Sequence, residues 1–185
     1  MNINWVLADD AVLDPAIDIG QLKDIGSLWG SWRGWRAYQT DNIICNDQRK
    51  AHELLQRQFN TLCNFYTSQD IYILLDRPEK VRIYEGKFVH DVDRQDEIIA
   101  LHLAASLSDI VLLLGFDWAP QPKNSDKLQE HRNANYRGLI KHVVQDNPDI
   151  QWVLVDHGPD LMPDLANLEN LTIDTLPNVI ELLKG

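Results

Sequence analysis

The stretch that decides the fold is DIVLLLGFD, at residues 109–117. Its core is a continuous run of Ile, Val and Leu, which is typical of a strand buried on both faces. Two further apolar runs also end on a carboxylate: IYILLD at 71–76 and WVLVD at 152–156. Strands of this kind belong to parallel sheets, and open α/β sheets bind ligands at the carboxyl ends of their strands. Acids that follow these runs are therefore candidate site residues.

The segments around these runs predict alternating strands and helices. We predict strands at 3–8, 42–45, 71–75, 110–114, 151–155 and 171–173. We predict helices at 47–66, 93–107 and 125–145, a final helix from Thr175, and a small hairpin or edge strand at 81–89, whereas 10–38 is ambiguous. This order predicts one domain over residues 1–185, a three-layer, Rossmann-like α/β sandwich with a mostly parallel sheet. Strand 110–114 should lie inside the sheet, because it contains no polar residue.

Composition narrows the class of protein. The 185 residues carry a formal net charge of −11, which argues against nucleic acid and anionic membranes as partners, because both attract Lys and Arg. The N-terminal stretch MNINWVLADD lacks the features of a signal peptide, and no apolar run approaches the roughly 18 residues of a membrane span. The spacing of the two cysteines and of the histidines matches no metal site. These features predict a cytoplasmic protein whose cysteines and histidines form no metal site.

Acids follow the predicted strands at two places in the first third of the chain. Asp9 and Asp10 form a pair that can bind a metal ion or a sugar hydroxyl, or can cap a following helix. Asp47 follows 42–45, where many nucleotide-binding α/β folds place an acid that bonds a ribose hydroxyl. Asp47 is also placed to cap the next helix, and both roles are compatible.

Segment 26–38, GSLWGSWRGWRAY, has the most unusual composition in the chain. Its glycines and arginines are suited to bind a phosphate, and its tryptophans can stack on bases or sugar rings. It matches neither the GxGxxG nor the Walker pattern. The alternative is that Trp29, Trp32 and Trp35 pack onto the sheet or onto another subunit, since indoles and Arg are common interface anchors. We favour contact with another subunit, in a homo-oligomer or a larger assembly.

The loops after the two later strands contain further candidates. Gly115 permits a tight turn, Asp117 would face the crevice and Trp118 would form a wall. Asp156 and His157 follow 151–155, where a histidine beside an acid can be a general base or simply part of a turn. The candidate catalytic residues are Asp117 and His157. The candidate cofactor-binding residues are Asp9, Asp10, Asp47, Arg33, Gly115 and Trp118.

Residues 98–118, IIALHLAASLSDIVLLLGFDW, resemble the helix, strand and Gly-x-Asp loop of the sialyltransferase-like domains of bacterial surface glycosylation proteins. Residues 171–183, LTIDTLPNVIELL, resemble the closing strand and helix of that family. The resemblance implies a Rossmann-like domain with a nucleotide sugar across the strand ends. This chain has Ala8-Asp9-Asp10 where the family has a Gly-Asn-Gly-Pro-Ser phosphate loop, and the family's catalytic base has no counterpart unless His157 replaces it.

Three functions remain open from the sequence. The first is a glycosyltransferase-like protein that binds a nucleotide or nucleotide sugar at the strand ends. The second is a non-catalytic assembly protein, for example a viral or surface-structure component, on a degenerate form of the same fold. The third is a small nucleotide-processing enzyme with Asp9, Asp47 and Asp117 around a metal ion.

Overall fold

The computed structural model describes residues 1–9, 11, 13, 17–56, 63–76, 78–85, 95–116, 127–155 and 165–184, with no side-chain description at residue 129. Strands and helices alternate along these residues. The strands are β1 (Ile3–Leu7), β2 (Ser27–Ser31), β3 (Asn42–Ile44), β4 (Asn64–Thr67), β5 (Val81–Ile83), β6 (Ile110–Leu114), β7 (Gln151–Val155) and β8 (Leu171–Asp174). The helices are α1 (Ile19–Ile25), α2 (Trp32–Tyr38), α3 (Gln48–Gln56), α4 (Gln69–Leu74), α5 (Gln95–Ala105), α6 (Lys127–Asp146) and α7 (Leu176–Lys184).

The strands form one sheet in the order β5-β4-β3-β2-β1-β6-β7-β8, and every neighbouring pair is parallel. The chain builds outward from β1 to β5 and then returns to place β6 on the other side of β1. The prediction of a Rossmann-like α/β sandwich is confirmed, as is the interior position of strand 110–114. The direction of strand addition reverses between β1 and β6, and such a switch point is where open sheets leave a crevice.

The helices cover both faces of the sheet. Asn4 donates from Nδ2 to the carbonyl oxygen of Ala104 at 3.0 Å, which places α5 on the face that carries Asn4. Gly34 of α2 packs against Leu7, which points to the opposite face because side chains alternate along a strand. α6 contacts α5, and α7 contacts α1. Right-handed crossovers put α1 and α2 on the same face, so α5 and α6 form one outer layer and α1, α2 and α7 belong to the other.

The apolar strands supply the centre of the core. Trp5 of β1, Leu112 of β6 and Trp152 of β7 are fully buried, and Phe116, just after β6, is buried with them. A second buried cluster lies beneath the other half of the sheet and includes Phe65 of β4. None of the helices in the described part of the chain combines the length and hydrophobicity needed to cross a membrane.

The predicted strand at 71–75 is wrong, because residues 71–74 belong to α4 and Leu75 is the C-cap of that helix. The Ser68 side chain accepts a hydrogen bond from the amide of Ile71 and caps the helix, and Asp70 lies in its first turn. Ile73 and Leu74 are exposed, so this apolar run is not the doubly buried strand that its composition suggested. The strand is instead β4, and the predicted helix at 47–66 wrongly included the first three of its four residues.

The sequence leaves two other segments open, residues 10–38 and 81–89. The ambiguous residues 10–38 contain α1, β2 and α2, and β2 passes into α2 without a loop. Ser31 makes that junction possible, because its side chain accepts a hydrogen bond from the amide of Arg33 as the helix begins. β5 lies at the edge of the sheet, as one of the two alternatives for 81–89 predicted, and it pairs with β4 in parallel. Residues 86–89 lie outside the described residues, so the hairpin alternative stays a prediction.

Candidate functional site

The first turn of α5 lies at the carboxyl ends of β1 and β3. The connection from β5 crosses the sheet to reach β6, so α5 begins above the strand ends and runs back over the sheet. Two of its acidic side chains meet the strand ends there. Glu97 accepts a hydrogen bond from the amide of Asp9 after β1, and Asp96 accepts one from Asn46 after β3. Acids from α5 are thereby joined to the loops that follow two separate strands.

Asn46 is the centre of a hydrogen-bond network. Its Nδ2 donates to Oδ1 of Asp96 at 2.8 Å. Its Oδ1 accepts from the hydroxyl of Tyr84 and from the amide of Ser68, each at 2.9 Å. Burial raises the pKa of Tyr84 to about 12, so this hydroxyl keeps its proton and remains a donor. These bonds fix the orientation of the Asn46 amide and, through it, hold the Asp96 carboxyl in place.

The pKa of Asp96 is suited to proton transfer near neutral pH. Burial is the main cause that raises its pKa to about 7, and the charge of Asp9 raises it further. The hydrogen bond from Asn46 and the charge of Lys50 act in the opposite direction. Because this pKa is close to neutrality, both the protonated and the ionised forms are populated near pH 7.

The loop after β1 is held by the rest of the site. The amide of Ala8 donates to the carbonyl oxygen of Leu114 at 3.1 Å, and the amide of Ala11 donates to that of Ala8 at 3.2 Å. The Tyr38 hydroxyl donates to the carbonyl oxygen of Ala11 at 2.9 Å and accepts from the amide of Leu13 at 3.1 Å. These bonds tie the Asp9 loop to both β6 and α2.

Gly115 has the role of a turn residue at the end of β6. Its φ of +75° lies in the left-handed region, which favours glycine. A Cβ at this position would lie 2.3 Å from the Cβ of Ala11, so a larger residue would collide with the β1 loop. The glycine therefore permits both the turn and the close approach of the two loops at the switch point.

Asp9 and Asp47 lie at the same edge of the sheet, as predicted for acids that follow parallel strands. Asp47 caps α3, since its Oδ1 accepts from the amides of Arg49 and Lys50 at 2.9 and 3.1 Å. Its carboxylate is half exposed and retains access to a ligand. Burial raises the pKa of Cys45 to about 12, and the charges of Asp96 and Asp47 contribute to that rise, so both acids lie near this thiol.

The remaining predicted site residues have different outcomes. Arg33 lies in the first turn of α2 with an exposed side chain, at the same edge of the sheet as Asp9. Five candidate residues from the sequence lie outside the described residues: Asp10, Asp117, Trp118, Asp156 and His157. Their roles stay predictions.

The tryptophans of segment 26–38 divide into two groups. Trp29 is 2% exposed in the core, and its ring centroid lies 5.3 Å from that of Tyr66. Trp29 is therefore not placed to contact another subunit. Trp32 and Trp35 are partly buried against the second core cluster. For these three side chains, packing onto the sheet is the interpretation that agrees with the structure, and contact of Trp32 or Trp35 with another subunit stays a prediction.

Four residues of the site carry no clear signal in the sequence: Asn46, Tyr84, Asp96 and Glu97. Asp96 and Glu97 resemble ordinary acids at a helix start, where the helix dipole favours them. The one available signal is Asn46, which follows the predicted strand at 42–45. Only the crossover from β5 to β6 brings Asp96 to Asn46 and Glu97 to the amide of Asp9.

No protein-family model, no curated protein and no solved structure matches this chain. Within the described residues, no three His, Cys, Asp or Glu side chains are grouped to hold a metal ion. What the site can do chemically therefore follows from its own groups. Carboxylates and amides accept and donate hydrogen bonds to hydroxyls, and a carboxyl that titrates near neutrality can exchange a proton with a bound substrate.

Proposed function

We propose that the protein binds a nucleotide sugar at the carboxyl ends of β1, β3 and β6 and acts as a glycosyltransferase-like enzyme. The observation that carries this proposal is the convergence of Asp9, Asn46 and Asp96 at the strand ends. Buried carboxyl groups are costly to a fold, so a cluster of them beside an expected crevice favours a functional role. Carboxylates at this place are suited to accept hydrogen bonds from ribose or sugar hydroxyls.

Asp96 is the group we assign to proton transfer. Glycosyl transfer requires a base that takes a proton from the acceptor hydroxyl, or an acid that gives one to the leaving group. A carboxyl with a pKa of about 7 can serve in either role near neutral pH. Asp117 and His157 remain candidate catalytic residues, and Trp118 a candidate wall of the site, in the loops after β6 and β7.

The resemblance to sialyltransferase-like domains supports the same proposal. That family has an apolar helix, a short turn, an aliphatic strand and then glycine. Residues 98–115 of this chain have the same order: the greater part of α5, a turn, β6 and Gly115. The resemblance thus involves elements of matching type, and its glycine lies at the switch point of the sheet.

A thermal-shift screen tests the proposal. Nucleotide sugars and free nucleotides are added to the wild-type protein and to the Asp9→Asn variant, with Asp149→Asn as the control because that acid is exposed in a distant turn. A ligand at one hundred times its dissociation constant should stabilise by about 2.7 kcal/mol, which raises Tm by about 5 to 10 °C in a domain of this size. Loss of the shift in Asp9→Asn alone supports the proposal. The absence of any shift across the panel refutes it.

An assembly protein is the second candidate function, and one feature favours it. The edge strand β5 and the neighbouring helix α4 expose three large aliphatic side chains: Ile73, Leu74 and Ile83. Exposed aliphatic groups beside an open sheet edge are typical of a contact surface. Light scattering tests this alternative, since a stable oligomer that Ile73→Glu converts to a monomer would favour it over the enzyme.

A further inference from the structure

A nucleotide sugar carries phosphate, and three of the described backbone amides in the loop after β1 are already engaged within the protein. In phosphate-binding loops, free backbone amides point at the anion. Here the amides of Ala8, Asp9 and Ala11 donate to protein acceptors, namely the Leu114 carbonyl, the Glu97 carboxylate and the Ala8 carbonyl. Glu97 places its carboxyl group against the Asp9 amide. Because these three amides already donate within the protein, cationic side chains at the strand ends are the better candidates to contact a phosphate.

Two side chains, one on α2 and one on α3, supply such cations over a shared tryptophan ring. The Arg36 guanidinium carbon lies 4.8 Å from the centre of the Trp32 ring, and the Lys50 ammonium nitrogen lies 5.8 Å from it. One indole, itself partly buried against the second core cluster, thus holds two cations from two helices. We call Trp32, Arg36 and Lys50 the cation cluster.

Two members of the cation cluster, Trp32 and Lys50, lie at the same edge of the sheet as the acids, and Arg36 lies one turn further along α2. Trp32 is the first residue of α2, which begins directly where β2 ends, and Lys50 is in the first turn of α3 after β3. Lys50 lies 3.8 Å from the Asp47 carboxylate, and its charge also lowers the pKa of Asp96. Lys50 therefore links the cation cluster to the acids that we assign to the sugar and ribose.

The cations keep donor capacity for a ligand. Within the described part of the chain, Arg36 makes no hydrogen bond or ion pair with a carboxylate, and its guanidinium lies over the neutral Trp32 ring. The planar guanidinium can therefore offer its forked N–H donors to a phosphate. The Lys50 side chain is 39% exposed, and its ammonium nitrogen lies 3.8 Å from the Asp47 carboxylate. On a chain with a net charge of −11, such a cluster is an exception that attracts an anion locally.

We infer that the cation cluster of Trp32, Arg36 and Lys50 binds the phosphate groups of the nucleotide, beside the carboxylates that bind its hydroxyls. This inference rests on the proposed function and assigns the anionic part of the ligand to residues of α2 and α3. Arg33, the arginine that the sequence analysis selected, directly follows Trp32 in α2 and is not part of the cation cluster. The indole holds the two cations in place, so that less side-chain freedom is lost when the phosphate binds.

Isothermal titration with inorganic pyrophosphate tests the cation cluster without the sugar. Arg36→Gln and Lys50→Gln should each weaken binding by about tenfold, as expected for the loss of a charge-assisted hydrogen bond. Arg49→Gln is the matched control, because Arg49 is an exposed cation on the same helix turn as Lys50. Its pyrophosphate affinity should stay close to that of the wild type. Unfolding in urea confirms that all three variants fold.

The outcomes separate this inference from the proposed function. Pyrophosphate binding that is absent, or that Arg36→Gln and Lys50→Gln leave unchanged, overturns the cation cluster, even if a nucleotide sugar binds elsewhere at the strand ends. Pyrophosphate binding that depends on both cations, with no nucleotide sugar bound by the wild type, supports the cluster and refutes the proposed substrate. A nucleotide sugar whose affinity falls in Asp9→Asn and also in Lys50→Gln supports both.

Discussion

Replacing Asp96 by Asn should stabilise the protein at high pH and remove part of the pH dependence of its stability. The folded protein raises the pKa of this carboxyl from 3.8 to about 7, chiefly through burial. Between these values the folded state binds a proton that the unfolded state has lost. The free energy of unfolding therefore falls as pH rises through this window, and above pH 7 the cost of the ionised carboxyl is fully present.

The expected magnitude follows from the same two values. Each pKa unit corresponds to about 1.4 kcal/mol, so the full cost of ionising Asp96 in the folded state is about 4 kcal/mol. About 2 to 3 kcal/mol of that cost develops between pH 5 and pH 8. Asparagine carries no charge and retains an acceptor oxygen for the 2.8 Å hydrogen bond from Asn46, so the network is preserved.

Urea unfolding at pH 5, 6.5 and 8 measures this effect for the wild type, Asp96→Asn and the control Asp149→Asn. The difference in unfolding free energy between Asp96→Asn and the wild type should grow by about 2 to 3 kcal/mol from pH 5 to pH 8. The control should follow the wild type, because Asp149 is exposed. A difference that is the same at all three pH values would show that Asp96 does not hold a proton near neutrality.

Three further predictions concern the packing around the site. Gly115→Ala should lower the free energy of unfolding in urea by about 1 to 3 kcal/mol, because the residue has a positive φ and the added Cβ would collide with Ala11. Unchanged stability would contradict this turn. Tyr38→Phe should lower the free energy of unfolding by about 1 to 2 kcal/mol and speed hydrogen exchange of the Leu13 amide, because that amide loses its acceptor. Unaltered exchange would contradict the contact. Leu113→Asp should give insoluble protein on expression, because Leu113 is fully buried inside the sheet, and a soluble, cooperatively unfolding variant would contradict that position.

Most of the sheet could be predicted from residue patterns because its central strands are chemically simple. The run at 110–114 and the run at 151–155 contain Ile, Val and Leu with few interruptions, and both are strands. IYILLD failed because a short apolar run fits a strand and a helix alike, and the Ser68 cap decides for the helix. β4 was missed because its four residues, NFYT, follow a helical pattern without a break that the sequence marks.

The candidate site was only half predictable. Asp9 and Asp47 could be found because an acid after a strand is a recognisable signal in a parallel sheet. Asp96 could not, because an acid in the first turn of a helix usually interacts with the helix dipole. Its raised pKa depends on burial beside Asn46 and Asp9, which only the path of the chain from β5 to β6 creates. The pairing of Lys50 with Trp32 likewise depends on two helices that meet in space.

The central claim is that the acids at the ends of β1 and β3 bind the hydroxyls of a nucleotide sugar. Isothermal titration of the wild type, Asp9→Asn and Asp149→Asn with the nucleotide sugar that gives the largest thermal shift tests it most directly. We predict saturable binding to the wild type and the control, and affinity lower by about tenfold in Asp9→Asn. Equal affinity in all three proteins, or no binding by the wild type at millimolar ligand, would contradict the account.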